Sequence, residues 1–122
     1  RKACRSRGTG RSSRGAERVA RFDVYANPVP GERRATPYLL DVQNDYIDGL
    51  ATRVVIPLRS EKAFGPRARD LNPSLQVAGH AVVLDTAALA AVPATELRRK
   101  VASLGGDRAA VLEALDALFG AW

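Results

Sequence analysis

Between Phe22 and Leu58 the apolar residues arrive in short runs, each closed within a few residues by Pro, Gly, Asn or Asp, and this restricts the chain to short strands joined by tight connections. In RFDVYAN, Phe22, Val24 and Ala26 alternate with Asp23, Tyr25 and Asn27, the period of a half-buried strand. PVPGERRATP follows, rich in turn formers and carrying adjacent Arg33 and Arg34, and reads as an exposed loop. YLLDVQ and TRVVIPL are the second and third strands, joined by a loop over 44–51. Pro57 lacks a ladder donor and is expected at the end of the third strand or on an edge. RSEKAFGPRARDLNPSL has mixed charge and no sustained period, so it reads as irregular with at most a short helical turn. LQVAGHAVVLDT reads as a hairpin turning at Gly79. TAALAAVPATELRRKVASL stays open: its alanines favour helix, whereas Pro93 and the alternation of Leu97, Arg99 and Val101 favour a break and another strand.

GGDRAAVLEALDALFGAW is different in kind. Asp107 follows two glycines as a candidate N-cap, and Val111, Leu115, Leu118 and Phe119 recur at helical spacing, so one amphipathic helix packed by that stripe ends the chain. Glu113 and Asp116 fall on its other faces. Short strands followed by one helix predict a mainly β, α+β fold: a small twisted sheet or partly closed barrel with the helix across it.

The 122 residues suffice for one domain with one core. No apolar run approaches the roughly 18 residues of a membrane helix, and the first residues lack the apolar stretch of a secretory signal. The net charge of +6 invites a nucleic-acid reading until the charge is located. Residues 1–21 carry eight Lys or Arg and one acid; the other 101 carry eleven basic and twelve acidic side chains. The body is therefore close to neutral, and the basic balance belongs to a Gly/Ser/Arg-rich segment with the composition of a disordered extension. The expected organisation is such an extension over 1–20 and a domain over 21–122. With no methionine in the chain, residues 1–20 read as upstream or extra sequence. Nucleic-acid binding is expected, if anywhere, through that segment. Cys4 is the single cysteine, which excludes an internal disulfide, suits a reducing cytoplasm and reads as an inert thiol.

The inventory for catalysis is thin. His80 is the single histidine and sits beside a turn glycine, so it reads as a surface residue rather than a general base, and with Cys4 remote no His/Cys metal set can form. There is no phosphate-binding glycine loop, dinucleotide turn or nucleophile elbow, so no cofactor is expected. Asp41, Asp45 and Asp48 are too irregularly spaced for a calcium loop and read as solvated charges. The basic cluster LRRK over 97–100 reads as a solvated strand face. One feature points to binding instead: Tyr46 and Ile47 stand between carboxylates in a surface loop, where an apolar pair gains little unless something covers it.

DVQNDYIDGLATRVVIPL closely resembles the motif of the CcdB toxin family, with a strand Asp-Val-Gln, a loop of Asp-x-Ile-Asp type and a strand ending Val-Ile-Pro-Leu in the same order. RFDVY is similar to the family's opening strand, VPATELRRKVASL to a Val-Pro segment leading to Val-Ala-x-Leu, and ALFGAW to its close. The resemblance runs over about residues 21–122 and leaves the basic segment unmatched. It implies an SH3-like small barrel of the CcdB/MazF-like kind with a C-terminal helix, and a homodimeric, cytoplasmic bacterial toxin of a toxin-antitoxin system. It implies a binding toxin rather than an enzyme, one that poisons DNA gyrase through its A subunit and is neutralised by a CcdA-like antitoxin.

By matching position, the resemblance implicates Tyr46 and Ile47 in the loop and Asp116 and Phe119 in the helix in gyrase binding, and Trp122, the chain's tryptophan, is expected to act with them. The family commonly closes Phe-Trp-Gly-Ile; here Gly120 stands at the tryptophan's place and the tryptophan is Trp122. On a continuing helix a two-residue displacement turns the side chain by about 200°, to the opposite face, unless the chain unwinds after Gly120. Two alternatives stay open: a MazF-like endoribonuclease, and a relative that keeps antitoxin binding without poisoning gyrase.

Overall fold

The computed structural model of the chain describes residues 20–45 and 49–120. Cys4 with the rest of 1–19, Tyr46, Ile47 and Asp48 in the loop, and Trp122 lie outside the described residues. The described residues form strands β1 (Asp23–Ala26), β2 (Tyr38–Asp41), β3 (Thr52–Ser60), β4 (Ser74–Val77), β5 (His80–Leu84), β6 (Ala90–Pro93) and β7 (Lys100–Ser103), followed by one helix, α1 (Arg108–Phe119). All pairings are antiparallel, in the order β4-β5-β3-β2-β1-β7, with β6 also on β3. This is the mainly β, α+β fold expected, an antiparallel half-barrel with a C-terminal helix.

The nine-residue β3 is the spine. One edge takes β2, with Leu40 opposite Ile56 and Asp41 opposite Val55. The other edge is shared: β6 pairs Thr52 to Val55 and β5 pairs Leu58 to Ser60. Pro57 lies between those two partners, so the strand neither ends there nor becomes an edge. The N and C=O of one strand residue face the same side; the Pro57 carbonyl accepts the Asp85 N–H at 3.0 Å, so its missing donor faces the gap where β5 has stopped and β6 has not begun. A proline costs no ladder bond at such a junction. Residues 85–89 bow out opposite that gap, with a 3-10 turn at Thr86–Ala88 that packs against α1. Thr86 is fully buried there, its hydroxyl donating to the Leu71 carbonyl at 2.5 Å.

Alternation along the central strands buries both sheet faces, which is why YLLDV and VVIPL read as almost unbroken apolar runs. Val24, Leu40, Ile56 and Leu58 join Leu75, Val77, Val82, Leu84 and Leu104 in the main core, closed by α1. Tyr25, Leu39, Val55 and Leu97 form a smaller cluster, with Val92 against it. The helix closes the main core with Val111 and Ala114 fully buried and Leu112 and Leu115 partly so. Phe119 is 70% exposed, so the predicted stripe of Val111, Leu115, Leu118 and Phe119 is corrected at its end: the buried face turns through Ala114 and leaves Phe119 outside. Asp107 is the N-cap residue but makes no side-chain cap bond, because the 3-10 turn Gly105–Asp107 runs directly into the helix. The ambiguous segment resolves as two strands and two 3-10 turns, Pro93 closing β6.

The β4–β5 hairpin turns through Ala78 at φ 50° and Gly79 at φ 83°. Two successive left-handed residues match the right-handed strand twist, but an alanine pays for that conformation where asparagine tolerates it. Ala78 is exposed, so nothing else holds it. Ala78→Asn should therefore stabilise the fold by about 0.5–1 kcal/mol. The check is the denaturant midpoint at unchanged slope; a midpoint that stays put or falls contradicts the assignment.

Candidate binding face

The loop that carries Tyr46 and Ile47 leaves β2 and enters β3 through a buried polar network. Asp41 is fully buried and Arg53 nearly so. The guanidinium grips the carboxylate twice, Nε to Oδ2 at 2.8 Å and Nη2 to Oδ1 at 2.9 Å. This corrects the reading of Asp41 as a solvated charge: its side chain lies under the loop, and such burial is tenable because a two-pronged charged donor meets it. Burial pushes the Asp41 carboxyl up against the pull of Arg53. Burial also works to lower Arg53, but the hydrogen bond and charge of Asp41 outweigh it and raise the guanidinium. The bidentate geometry favours the charged form of both groups.

Around this pair the two feet of the loop are stitched together. Gln43 donates its N–H to Asp41 Oδ1 at 2.9 Å, and its side-chain Oε1 accepts the Val54 N–H at 3.0 Å, in place of a backbone carbonyl. Arg53 Nη2 also donates to the Gln43 carbonyl at 3.3 Å. Gln43 Nε2 is buried with no hydrogen-bond partner. Asp45, about half exposed, accepts the Arg21 N–H at 2.8 Å and Arg53 Nη2 at 3.4 Å. Asp45 is thus solvated as expected and engaged as well. The feet are in this way tied to the residues that open β1.

Phe22 sits at the same end. Its φ of 71° is uncommon for an aromatic residue. It is held by its N–H to the Asp41 carbonyl at 2.7 Å and its own carbonyl to the Leu104 N–H at 2.8 Å. Its ring carries the Arg21 guanidinium at 4.9 Å and that of Arg108, the first residue of α1, at 5.8 Å. Neighbouring Asp23, also buried, pairs with Lys100 at 3.3 Å. No sequence signal marks Phe22 as strained or Asp41 as paired, because both depend on which strand end the loop closes over.

At the far end of α1, Asp116 and Phe119 are exposed one turn apart, a spacing that puts them on the same side of the helix. Gly120 leaves the helix at φ 82°, its N–H donating to the Asp116 carbonyl at 2.8 Å. The helix ends at Phe119, with Gly120 outside the helical region. Of the sequence-predicted site residues, the structure brings together Asp116 and Phe119; Tyr46, Ile47 and Trp122 lie outside the described residues.

The other end of β1 opens on a cleft of about 470 Å³ lined by Ala26, Pro28, Val29, Arg33, Glu96, Arg98 and Arg99. Of LRRK only Lys100 belongs to a strand, as the first residue of β7; Leu97 is buried, and Arg98 and Arg99 precede the strand and join Arg33 along the cleft, so the segment is not the solvated strand face expected. Three guanidinium groups against one carboxylate suit an anionic group there. His80 is exposed at the start of β5, the surface position expected. Among the described residues no cluster of His, Cys, Asp and Glu could hold a metal ion, and no helix is long and apolar enough to cross a membrane.

The network predicts its own failure. Arg53→Met leaves Asp41 buried and unpaired and should cost about 3–5 kcal/mol at neutral pH. Without the hydrogen bond and charge of Arg53 to oppose it, burial lifts the folded-state pKa of Asp41 further above the ordinary 3.8. A carboxyl raised on folding binds its proton more tightly in the native state, so the variant gains stability as pH falls toward 3.8, and its deficit against wild type shrinks. Denaturant unfolding across that range checks this, and a deficit independent of pH contradicts it.

No curated protein matches the chain. The family model of the CcdB protein matches residues 21–120.

Proposed function

Because the chain belongs to the CcdB family, toxins of toxin-antitoxin systems, we propose that it binds the A subunit of DNA gyrase, traps that enzyme on cleaved DNA, and is neutralised by a CcdA-like antitoxin. It acts by occupancy as a homodimer, with the loop over 44–51 and the end of α1 as the target surface. The observation that carries this reading is Phe119, 70% exposed beside Asp116 on the helix face that the core does not use. A large aromatic left outside a small domain is a binding anchor in waiting, since interface hot spots concentrate in such side chains. Tyr46, Ile47 and Trp122 belong to the same proposed surface.

A second reading, a relative that keeps the antitoxin and has lost poisoning, draws on Gly120, which ends the helix where the family places its tryptophan. An in vitro gyrase cleavage assay separates the two. The poison reading requires accumulation of cleaved DNA on adding the purified chain; binding of antitoxin without such accumulation supports the second.

In calorimetric titration against a gyrase A-subunit fragment, Phe119→Ala and Trp122→Ala should each weaken binding by about 2 kcal/mol, roughly thirtyfold. Phe119→Ala should leave unfolding almost unchanged, because little of its side chain is buried. Leu84→Ala, fully buried, should instead cost about 2–5 kcal/mol of stability. Wild-type affinity in both aromatic variants would sink the assignment of this surface.

A further inference from the structure

Asp23, Asp41 and Asp85 are each met by a cation, Lys100, Arg53 and Arg59 in turn. The arginines of the cleft at the Ala26 end of β1 have no such counterpart. Arg33 and Arg98 engage only Nε, which donates to the Asn27 carbonyl at 2.6 Å and to the Thr95 carbonyl at 3.0 Å. Their Nη groups, and the whole Arg99 guanidinium, make no hydrogen bond or ion pair among the described residues. Glu96, the carboxylate of the lining, forms no ion pair with them.

These groups stand on a fixed frame. Buried Asn27 holds one wall, its Nδ2 donating to the Thr36 carbonyl at 2.9 Å and its Oδ1 accepting the Val29 N–H at 3.0 Å. Buried Leu97 roots the other wall, and the Arg99 carbonyl ties it to β1 by accepting the Ala26 N–H at 2.9 Å. A frame of this kind loses little freedom when a ligand enters. Beside the charge, Pro28 and Val29 offer apolar surface, Val29 being 47% exposed. The space of about 470 Å³ lies within the range of small-ligand pockets and exceeds what a bare phosphate fills.

We propose that this cleft binds a nucleoside monophosphate, with the phosphate on Arg33, Arg98 and Arg99 and the base against Pro28 and Val29. Guanidinium forks match phosphate oxygens in pairs, and a dianion answers three cations better than a single carboxylate does. Glu96 is an acceptor for a ribose hydroxyl or a base N–H, which gives the lining a use for the polar groups of a nucleoside. The site stands apart from the gyrase reading, since none of its residues belongs to the proposed target surface.

The test titrates the full chain with AMP by calorimetry at low salt. Wild type should bind AMP with a Kd below about 1 mM, and adenosine or inorganic phosphate at least about tenfold more weakly, because each lacks one half of the recognition. Arg98→Gln combined with Arg99→Gln should weaken AMP binding at least about tenfold at unchanged Tm. Arg99→Gln alone should weaken it as well, and carries the test if the double variant does not fold, because that guanidinium has no partner among the described residues. On adding AMP, the amide resonances of Val29 and Arg99 should shift and that of Phe119 should not. The proposal is overturned if wild type does not bind AMP, if adenosine or phosphate binds as tightly, if the folded variants keep wild-type affinity, or if amides of residues 1–19 shift in place of Val29 and Arg99. Tighter binding of an Asp/Glu-rich peptide than of AMP at equal salt would give the cleft to a protein partner, and tighter binding of an oligonucleotide without terminal phosphates would give it to a strand; either result overturns the proposal too.

Discussion

A carboxylate without solvent exposure at the base of a surface loop demands a compensating charge, and Arg53 supplies it to Asp41 with two hydrogen bonds. The rest of the loop end of the sheet follows from that demand. Once the guanidinium is fixed by the carboxylate, its Nη2 also donates to the Gln43 carbonyl and to Asp45 as the chain leaves the strand. Asp45 in turn takes the Arg21 N–H, and the Asp41 carbonyl takes that of Phe22. A buried pair of this kind adds little net stability relative to apolar residues of the same size. Its contribution is register: it makes one arrangement of β1, β2 and β3 far better than its neighbours, and so aims the loop.

The sheet and helix divide the remaining labour. β3 serves three partners, and the bowed-out 85–89 segment that this sharing creates becomes a support for α1. Packed by Val111 and Ala114, the helix spends its inner face on the core and leaves Asp116 and Phe119 to solvent. A side chain left outside on a rigid helix is preorganised, and preorganised surfaces lose less entropy on binding.

Much of this platform was legible in the sequence, for identifiable reasons. Val24, Leu40 and Val82 sit in short periodic runs bounded by turn formers, and the Ala78-Gly79 turn was marked by its glycine. The fold class followed, and the family motif was carried by contiguous residues over 41–58. What failed was whatever depends on a partner distant in the chain. Asp41 and Asp45 look alike as letters; one is buried by Arg53, twelve residues later, and the other is not. A donorless residue such as Pro57 predicts a strand end or an edge position, whereas β5 and β6 divide one edge at that point. Phe119 fits the helical period as well as Ala114 does, and only the direction in which the core lies decides between them.

The central claim is that the loop feet are part of the folded core rather than the start of a loose connection. Native-state amide hydrogen exchange at Gln43, Val54 and Arg21 tests it most directly, since each N–H donates to a side chain of the network. The account predicts that Gln43 and Val54 exchange only through openings close in free energy to global unfolding, with Arg21 protected as well though less strongly, because Asp45 is partly exposed. Exchange of Gln43 and Val54 at the rate of unprotected loop amides would contradict it.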